Sequence, residues 1–170
     1  PNIVNEQFYE LFVVYGGAGS TLSLIIAMLF FCKSKRITEL GKLALIPGIF
    51  GINEPIIFGL PMVLNPVMIL PFLLIPIFNI LVGYTSMAMK LVPITNGVTI
   101  PWTTPPVISG FLATDWRGAV LQIILIIIGI FLYMPFIKAM DKQYLADEAN
   151  AVEVASNDDI DLDSLSFDDL

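Results

Sequence analysis

The apolar run at residues 43–64 is divided in its middle by the polar triplet Asn53-Glu54-Pro55. Each apolar arm has about ten residues and reaches about 15 Å as a helix, half of a bilayer's hydrocarbon core of about 30 Å. An ionised side chain at that depth costs about 2.5–3.5 kcal/mol, so such residues usually face a pathway or a ligand. The pattern predicts a re-entrant hairpin that carries Asn53 and Glu54 at its tip.

A single kinked span over 43–64 is the alternative, with Pro55 breaking the helix and Glu54 paired to a basic residue elsewhere. Short, interrupted apolar segments are the usual sequence pointer to a transporter site, which favours the hairpin. Irregular backbone at membrane depth is tolerated only beside protein or a watery cavity, so the tip is expected to line a cavity. Four further residues interrupt the run, namely Pro47, Gly48, Gly51 and Pro61.

The composition places the chain in a membrane. Hydrophobic residues make up 56% and charged residues 14%, and the mean hydropathy is +0.84. Soluble domains carry about 25% charged residues. We therefore predict an all-α integral membrane protein with a membrane domain over residues 1–145, built from transmembrane helices and re-entrant half-helices.

Three apolar stretches are long enough to cross the bilayer, namely 8–32, 67–89 and 119–137. The glycines of the sequence GGAGS at 16–20 interrupt the first stretch, either for close packing or as a helix break beside a cavity. Residues 91–114 are rich in proline, threonine and glycine, and residues before proline avoid helical backbone. This segment is expected to be extended or to form a second re-entrant element.

Charge sets the predicted orientation. The segment 33–42 holds four basic residues and one acid, and short loops with such an excess stay cytoplasmic. With three spans and the hairpin, six Lys/Arg residues fall inside and two, Lys90 and Arg117, fall outside. The net charge of −7 comes from the C-terminal part. Residues 146–170 are expected to be a disordered acidic cytoplasmic tail or a partner-binding segment.

The residue inventory excludes several chemistries. The chain has no histidine and one cysteine, Cys32, so the usual phosphoryl carrier, metal cluster and nucleophile triad are all missing. No phosphate-binding loop sequence is present. We expect no cofactor, no metal, no nucleic-acid partner and no covalent chemistry by this chain alone. Residues 1–7 lack a signal-peptide pattern, and the start at Pro1 suggests part of a longer polypeptide.

The remaining polar residues suit a hydroxyl-rich ligand. Glu54 and Asn53 offer a charged acceptor and an amide, while Trp102 offers a flat apolar wall. Thr103 and Thr104 offer further hydroxyls. Trp102 as a membrane-interface anchor is the alternative. A cation-coupled secondary transporter that uses the Glu54 carboxylate, and a scaffold that recruits a partner through its acidic tail, are the competing functions.

Two long motifs carry a family resemblance. The sequences KSKRITELGKLALIPGIFGINEPIIFGLPMVLNP and VTIPWTTPPVISGFLATDWRGA resemble the C-terminal half of the membrane IIC component (EIIC) of the phosphotransferase system, lactose/cellobiose/diacetylchitobiose branch. The resemblance covers about residues 10–145. It implies a homodimeric sugar permease of the bacterial plasma membrane, multi-pass, with a cytoplasmic C terminus. Its sugar is phosphorylated during uptake by the cytoplasmic IIB component, which IIA serves.

The same resemblance implies roles for particular residues. Asn53 and Glu54 match the family's hairpin motif, whose carboxylate holds sugar hydroxyls, and Trp102 matches a tryptophan of the sugar site. Glu54 would also orient a sugar hydroxyl for attack on the incoming phosphoryl group. The expected sugar is a β-linked disaccharide such as cellobiose. The family also uses a histidine near the sugar and N-terminal helices at the dimer interface, and this chain has neither.

Overall fold

The computed structural model describes residues 2–60, 62 and 64–164, with side chains described to residue 155. All regular structure in these ranges is helical. The helices are α1 (Glu6–Phe8), a π-helical segment (Tyr9–Val13), α2 (Thr21–Phe31), α3 (Lys35–Ile49), α4 (Glu54–Gly59), α5 (Pro66–Ala88), α6 (Ile108–Ala113) and α7 (Trp116–Ser164).

The first predicted span, 8–32, is not one helix. The chain leaves the π-helical segment at Val13, turns through residues 14–20, and starts again as α2. Gly16, Gly17 and Gly19 have φ of +73°, +99° and +79°, a backbone region that glycine adopts without strain. The glycines therefore break the helix, and α2 alone reaches only about 16 Å.

The chain reverses its direction at the position of the predicted hairpin. Residues 50–53 connect α3 to α4, and Gly59 at the end of α4 packs against Leu40 in the middle of α3. A single kinked span would carry these two residues apart, so the contact favours the hairpin over the alternative. The arms are unequal, because α3 has 15 residues and α4 has 6.

The second predicted span agrees with α5, which keeps its helix through Pro71 and Pro76. The segment 91–114 runs without regular structure as far as Val107 and ends in the short helix α6. It therefore contains no spanning helix, as its prolines predict.

The last predicted span, 119–137, lies inside α7, but this helix continues to Ser164. The prediction of a disordered tail from residue 146 is therefore wrong for residues 146–164, whereas 165–170 lie outside the described residues. Extending an existing helix needs no new nucleus, and residues 146–155 contain several strong helix formers, alanine above all. The acidic composition alone does not indicate that α7 continues through these residues.

The buried core has two apolar clusters. One contains Leu24, Met28, Ile56 and Tyr133, and the other contains Phe8, Phe12, Leu22 and Leu125 among their members. Ser20, Thr21, Ser23 and Asn79 are buried polar side chains at or beside the glycine break.

Candidate functional site

A cavity of about 330 Å³ opens where three irregular parts of the chain meet. The π-helical segment and the glycine break form one wall, the hairpin tip contributes Gly51, and the loop before α6 contributes Trp102, Thr104 and Pro106. The lining contains two carboxylates, Glu6 and Glu10, and no lysine or arginine. Its volume is at the lower end of the range of ligand pockets.

The hairpin tip is fastened to the glycine break by Asn53. Its Nδ2 donates to the carbonyl oxygen of Ala18 at 2.9 Å, and the residue is 7% exposed. Gly17 lies directly beneath this side chain, since a Cβ at Gly17 would lie 2.5 Å from Asn53 Cγ. Asn53, a predicted ligand contact, is thus engaged inside the protein and is absent from the cavity lining.

Glu54 is the first residue of α4 and is exposed. The structure gives its carboxylate no hydrogen bond or ion pair with any residue it describes, so the alternative of a permanent basic partner has no support there. Glu54 does not line the cavity itself. It follows Gly51, which does, by three residues.

Trp102 lies against the hairpin tip. A Cβ at Gly51, whose φ is +83°, would lie 3.1 Å from Trp102 Cε3 and 3.2 Å from the Trp102 carbonyl oxygen. Glycine at this position therefore lets the indole approach the tip backbone. The side chain stays 57% exposed, so an aromatic surface remains available at the cavity. Thr103 is exposed and outside the lining, whereas Thr104 is part of it.

Buried polar side chains hold the broken helix in place. Asn79 on α5 donates to the Val13 carbonyl at 3.1 Å and to Ser20 Oγ at 2.8 Å. Tyr133 on α7 donates to the Gly19 carbonyl at 2.5 Å. Breaking a helix inside an apolar environment exposes carbonyls that must find donors. The two long helices supply these donors, which makes the wall of the cavity a fixed structure.

Comparison with known proteins identifies this architecture. The structure superimposes on the crystal structure of the transporter ChbC, the IIC component of the N,N'-diacetylchitobiose-specific phosphotransferase system, with a TM-score of 0.85. The two share 39% sequence identity, over 88% of this chain and 35% of ChbC. The sequence profile of the family described as "Phosphotransferase system, EIIC" matches residues 1–76. The chain belongs to the EIIC family.

Curated EIIC proteins resemble the chain over most of its length. The lichenan permease IIC component of Bacillus subtilis is 45% identical over 150 residues, which is 87% of this chain and 33% of that protein. The cellobiose-specific EIIC component of Geobacillus stearothermophilus is 47% identical, with 87% and 33% covered. The chain thus spans about a third of the length of these relatives.

Membership of the EIIC family confirms the resemblance and the all-α integral membrane fold expected from the sequence. Within the described residues, α5 and α7 are long and apolar enough to cross a membrane.

Sequence reasoning missed the carboxylates of the cavity. Glu6 and Glu10 stand one helical turn apart, and Glu10 is half-buried in the lining. The argument that singled out Glu54 applies equally to Glu10, since Glu10 interrupts the apolar run FYELFVV. The interpretation of 8–32 as one continuous span gave no separate role to Glu10.

The opposite end of the EIIC bundle carries a second polar contact. Asp141 on α7 accepts hydrogen bonds from the backbone N–H groups of Lys33 and Ser34 at 3.0 Å and 2.8 Å. Glu148 accepts from Ser34 Oγ at 2.6 Å and from the Arg36 N–H at 3.2 Å. These bonds cap the start of α3. The hydrogen bond from Ser34 is the main reason that the pKa of Glu148 lies below its ordinary value.

Cys32 lies beside this contact at the end of α2. Among the described residues, no three His, Cys, Asp or Glu side chains are grouped to hold a metal.

Proposed function

We propose that this chain is the sugar-binding part of an EIIC permease, which carries a β-linked disaccharide such as cellobiose inward for phosphorylation by IIB. The observation that carries the proposal is the cavity between the hairpin tip and Trp102. The cavity offers an aromatic surface for the C–H face of a pyranose and polar groups for its hydroxyls. The names of the relatives, which include lichenan and cellobiose permeases, support a β-linked glucoside.

The charge of the cavity favours an uncharged ligand over an anionic one. Its lining contains Glu6 and Glu10 without a lysine or arginine, and Glu54 is three residues beyond Gly51. Carboxylates repel an anion and accept charge-assisted hydrogen bonds from hydroxyl groups. We assign sugar contacts to Glu54, Trp102 and Thr104, with Glu10 as a further acceptor.

Asn53 and Thr103 both lie outside the cavity lining, but for different reasons. The bond from Asn53 to Ala18 leaves its Oδ1 as the atom for a ligand, so we assign Asn53 chiefly to holding the tip. Thr103 is exposed beside Trp102 and reaches a sugar only if the ligand extends past the cavity mouth. Glu54 is the residue that would orient a sugar hydroxyl toward the phosphoryl group.

The proposed topology is a multi-pass protein of the bacterial plasma membrane with a cytoplasmic C terminus. The contact between residues 33–36 and 141–148 supports it, since it brings the basic segment 33–36 to the same end of the bundle as Lys138 and Lys142. Lys90 and Arg117 line one groove at the other end. This separation follows the positive-inside rule. The hairpin 43–64 then enters from the cytoplasmic side and returns to it.

The proposed partners follow from the family. IIB would dock on the cytoplasmic side and receive its phosphoryl group from IIA, and two EIIC chains would form a homodimer through helices outside this chain. Apolar side chains exposed along α5 would face lipid or the remainder of the transporter, namely Leu70, Leu73, Leu74, Ile77 and Leu81.

An uptake assay tests the proposal. Vesicles containing the complete transporter are supplied with external cellobiose and internal phosphorylated IIB. We expect phosphorylated cellobiose inside, without dependence on an ion gradient. Uptake of unmodified sugar that requires a proton or sodium gradient would contradict the proposal and favour a cation-coupled transporter in which Glu54 carries the ion.

A further inference from the structure

Gln122 is a fully buried amide near the start of α7. Its Oε1 accepts hydrogen bonds from the backbone N–H groups of Val107 at 2.6 Å and Gly110 at 2.9 Å. Its Nε2 donates to the Leu11 carbonyl at 2.7 Å and to Ser109 Oγ at 3.0 Å. An amide side chain has two donors and two acceptor lone pairs, and all four are used here.

These bonds join the two opposite walls of the cavity. Ser109, two residues after Val107, lines the cavity together with Trp102 and Thr104, whereas Leu11 lines it from the π-helical segment. The Gln122 side chain reaches both walls from behind. Since its hydrogen-bonding capacity is fully used, it has none left for a ligand. Its effect on the cavity is therefore on the separation of the walls.

Val107 shows that the loop is held in an unfavourable conformation. Its φ is +75° and its ψ is −52°, although its side chain is β-branched. Such residues rarely adopt positive φ, and they remain there only where the surroundings determine the backbone. The hydrogen bond from the Val107 N–H, at 2.6 Å, is the shortest that the Gln122 side chain makes. Gln122 is thus the contact that fixes this turn.

Close packing between α6 and α7 restricts the position of the loop before α6. A Cβ at Gly110 would lie 2.7 Å from Gln122 Cδ and 2.8 Å from the carbonyl oxygen of Gly118. The backbone of α6 therefore rests directly on α7 at this point. The contacts of Gln122 therefore fix both the distance of the loop from α7 and its orientation.

We propose that Gln122 is a positioning residue that sets the distance between the Trp102 loop and the π-helical wall, and with it the fit of the ligand. An apolar side chain here would leave the N–H groups of Val107 and Gly110 and the Leu11 carbonyl buried without partners. The loop would relax toward negative φ at Val107, and Trp102 would move. The effect on sugar affinity rests on the proposed function, while the displacement of Trp102 does not.

The test uses the complete transporter labelled with 5-fluorotryptophan, with the Trp102 fluorine resonance assigned by its loss in Trp102→Phe. In Gln122→Leu we expect this resonance to shift in the sugar-free protein. We also expect the Kd for cellobiose, measured by titration calorimetry, to rise about 10- to 100-fold because the wall is displaced. Gln143→Leu, the same change at an exposed position of α7, is the control and should alter neither quantity.

Two further variants separate positioning from general destabilisation. Val107→Gly removes the steric cost of positive φ, so adding it to Gln122→Leu should restore part of the affinity and return the Trp102 resonance toward its original position. Gln122→Asn keeps an amide that is one methylene too short to reach both walls. Like Gln122→Leu, it should shift the Trp102 resonance and raise the Kd for cellobiose. It replaces Gln122→Leu in the test if the leucine variant is not produced in the membrane.

An unmoved Trp102 resonance in the Gln122 variants would overturn the inference, whether or not cellobiose binds. A loss of affinity that Val107→Gly leaves unchanged would overturn the role assigned to the strained turn. If the resonance moves but cellobiose binds to none of the proteins, the original transporter included, the positioning role stands and the proposed function fails.

Discussion

The glycine break at 14–20 and the hairpin tip at 50–54 are both interruptions of helical structure, but they are supported differently. Donors from α5 and α7 bind the carbonyls of the break, with Tyr133 on Gly19 and Asn79 on Val13. Among the described residues, the tip has one side-chain hydrogen bond, from Asn53 to Ala18, and leaves Glu54 exposed. Side chains of two long helices thus bond to the break, whereas the side-chain hydrogen bond of the tip goes to the break itself.

This difference separates a structural role from a binding role. Hydrogen bonds to buried polar groups hold one conformation. The Val13 and Gly19 carbonyls both have side-chain donors, so the break serves as a fixed reference for the cavity, although the Oδ1 of Asn79 has no partner among the described residues. A carboxylate left without a partner beside a cavity is available to a ligand. The comparison therefore predicts large binding effects at the tip and effects on stability alone deep in the break.

The largest effect is expected for Glu54→Gln in the complete transporter. The Kd should rise about 10- to 100-fold for each hydrogen bond lost, since a hydrogen bond to a charged group contributes about 1.5–3 kcal/mol. Membrane insertion and thermal stability should not change, because Glu54 is exposed. Titration calorimetry with cellobiose measures the effect, and Glu39→Gln on the exposed face of α3 is the control. Unchanged binding would remove Glu54 from the site.

The next effect is expected where the two regions touch. Gly17→Ala adds a Cβ that would meet Asn53 Cγ at 2.5 Å, so the tip must move away from the break. We expect the Kd for cellobiose to rise about 10-fold or more, because the cavity is assembled from both regions.

Gly97→Ala provides a matched control for the Gly17 variant. Gly97 also has a positive φ, +76°, but nothing lies within 4 Å of a Cβ placed there. Both variants carry the backbone strain, and only Gly17→Ala carries the clash. Equal affinities in the two variants would show that the contact between tip and break is irrelevant to the site.

Tyr133→Phe should affect stability without affecting binding. It removes the donor to the Gly19 carbonyl in the buried break. Hydrogen bonds between membrane helices contribute about 0.6 kcal/mol on average and up to about 1.7 kcal/mol, so the melting temperature of the complete transporter should fall slightly. Tyr84→Phe, at an exposed tyrosine on α5, is the control. A loss of sugar affinity with no change in melting temperature would contradict the division of roles.

The smallest effect is expected at the contact of Glu148 with the start of α3. Its folded-state pKa lies below the ordinary value of 4.5, so the contact stabilises the protein above that pH. The contribution is lost as the pH falls through the folded-state pKa. Thermal unfolding of the original protein and of Glu148→Gln should differ slightly at neutral pH and converge in acid. A difference that grows in acid would refute the proposed capping of α3.

Much of the fold could be predicted from short-range patterns. Helix α5 and the span within α7 follow from uninterrupted apolar length, and the chain reversal at 50–54 follows from the polar triplet between two short arms. The helical extension to Ser164 does not follow from the sequence pattern, because an acidic segment with few apolar residues is typical of disorder. The break at 14–20 was visible as glycines, but its geometry depends on Asn79 and Tyr133, which are distant in sequence.

The candidate site was only partly predictable, for a similar reason. Trp102 is in the cavity lining, but Asn53 bonds to Ala18, and Thr104 rather than Thr103 joins the lining. Which of two adjacent residues faces a cavity depends on the turn at Val107, and that turn depends on Gln122. The hydrogen bond between Val107 and Gln122 joins residues that are 15 positions apart, so the local sequence pattern does not predict it.

A density map of the complete transporter with bound cellobiose tests the central claim most directly. The account predicts a pyranose ring against the indole of Trp102, with a sugar hydroxyl within hydrogen-bonding distance of the Glu54 carboxylate and the glycine break unchanged. A sugar bound elsewhere, or a Glu54 carboxylate turned away from the ligand and engaged by a basic side chain, would contradict it.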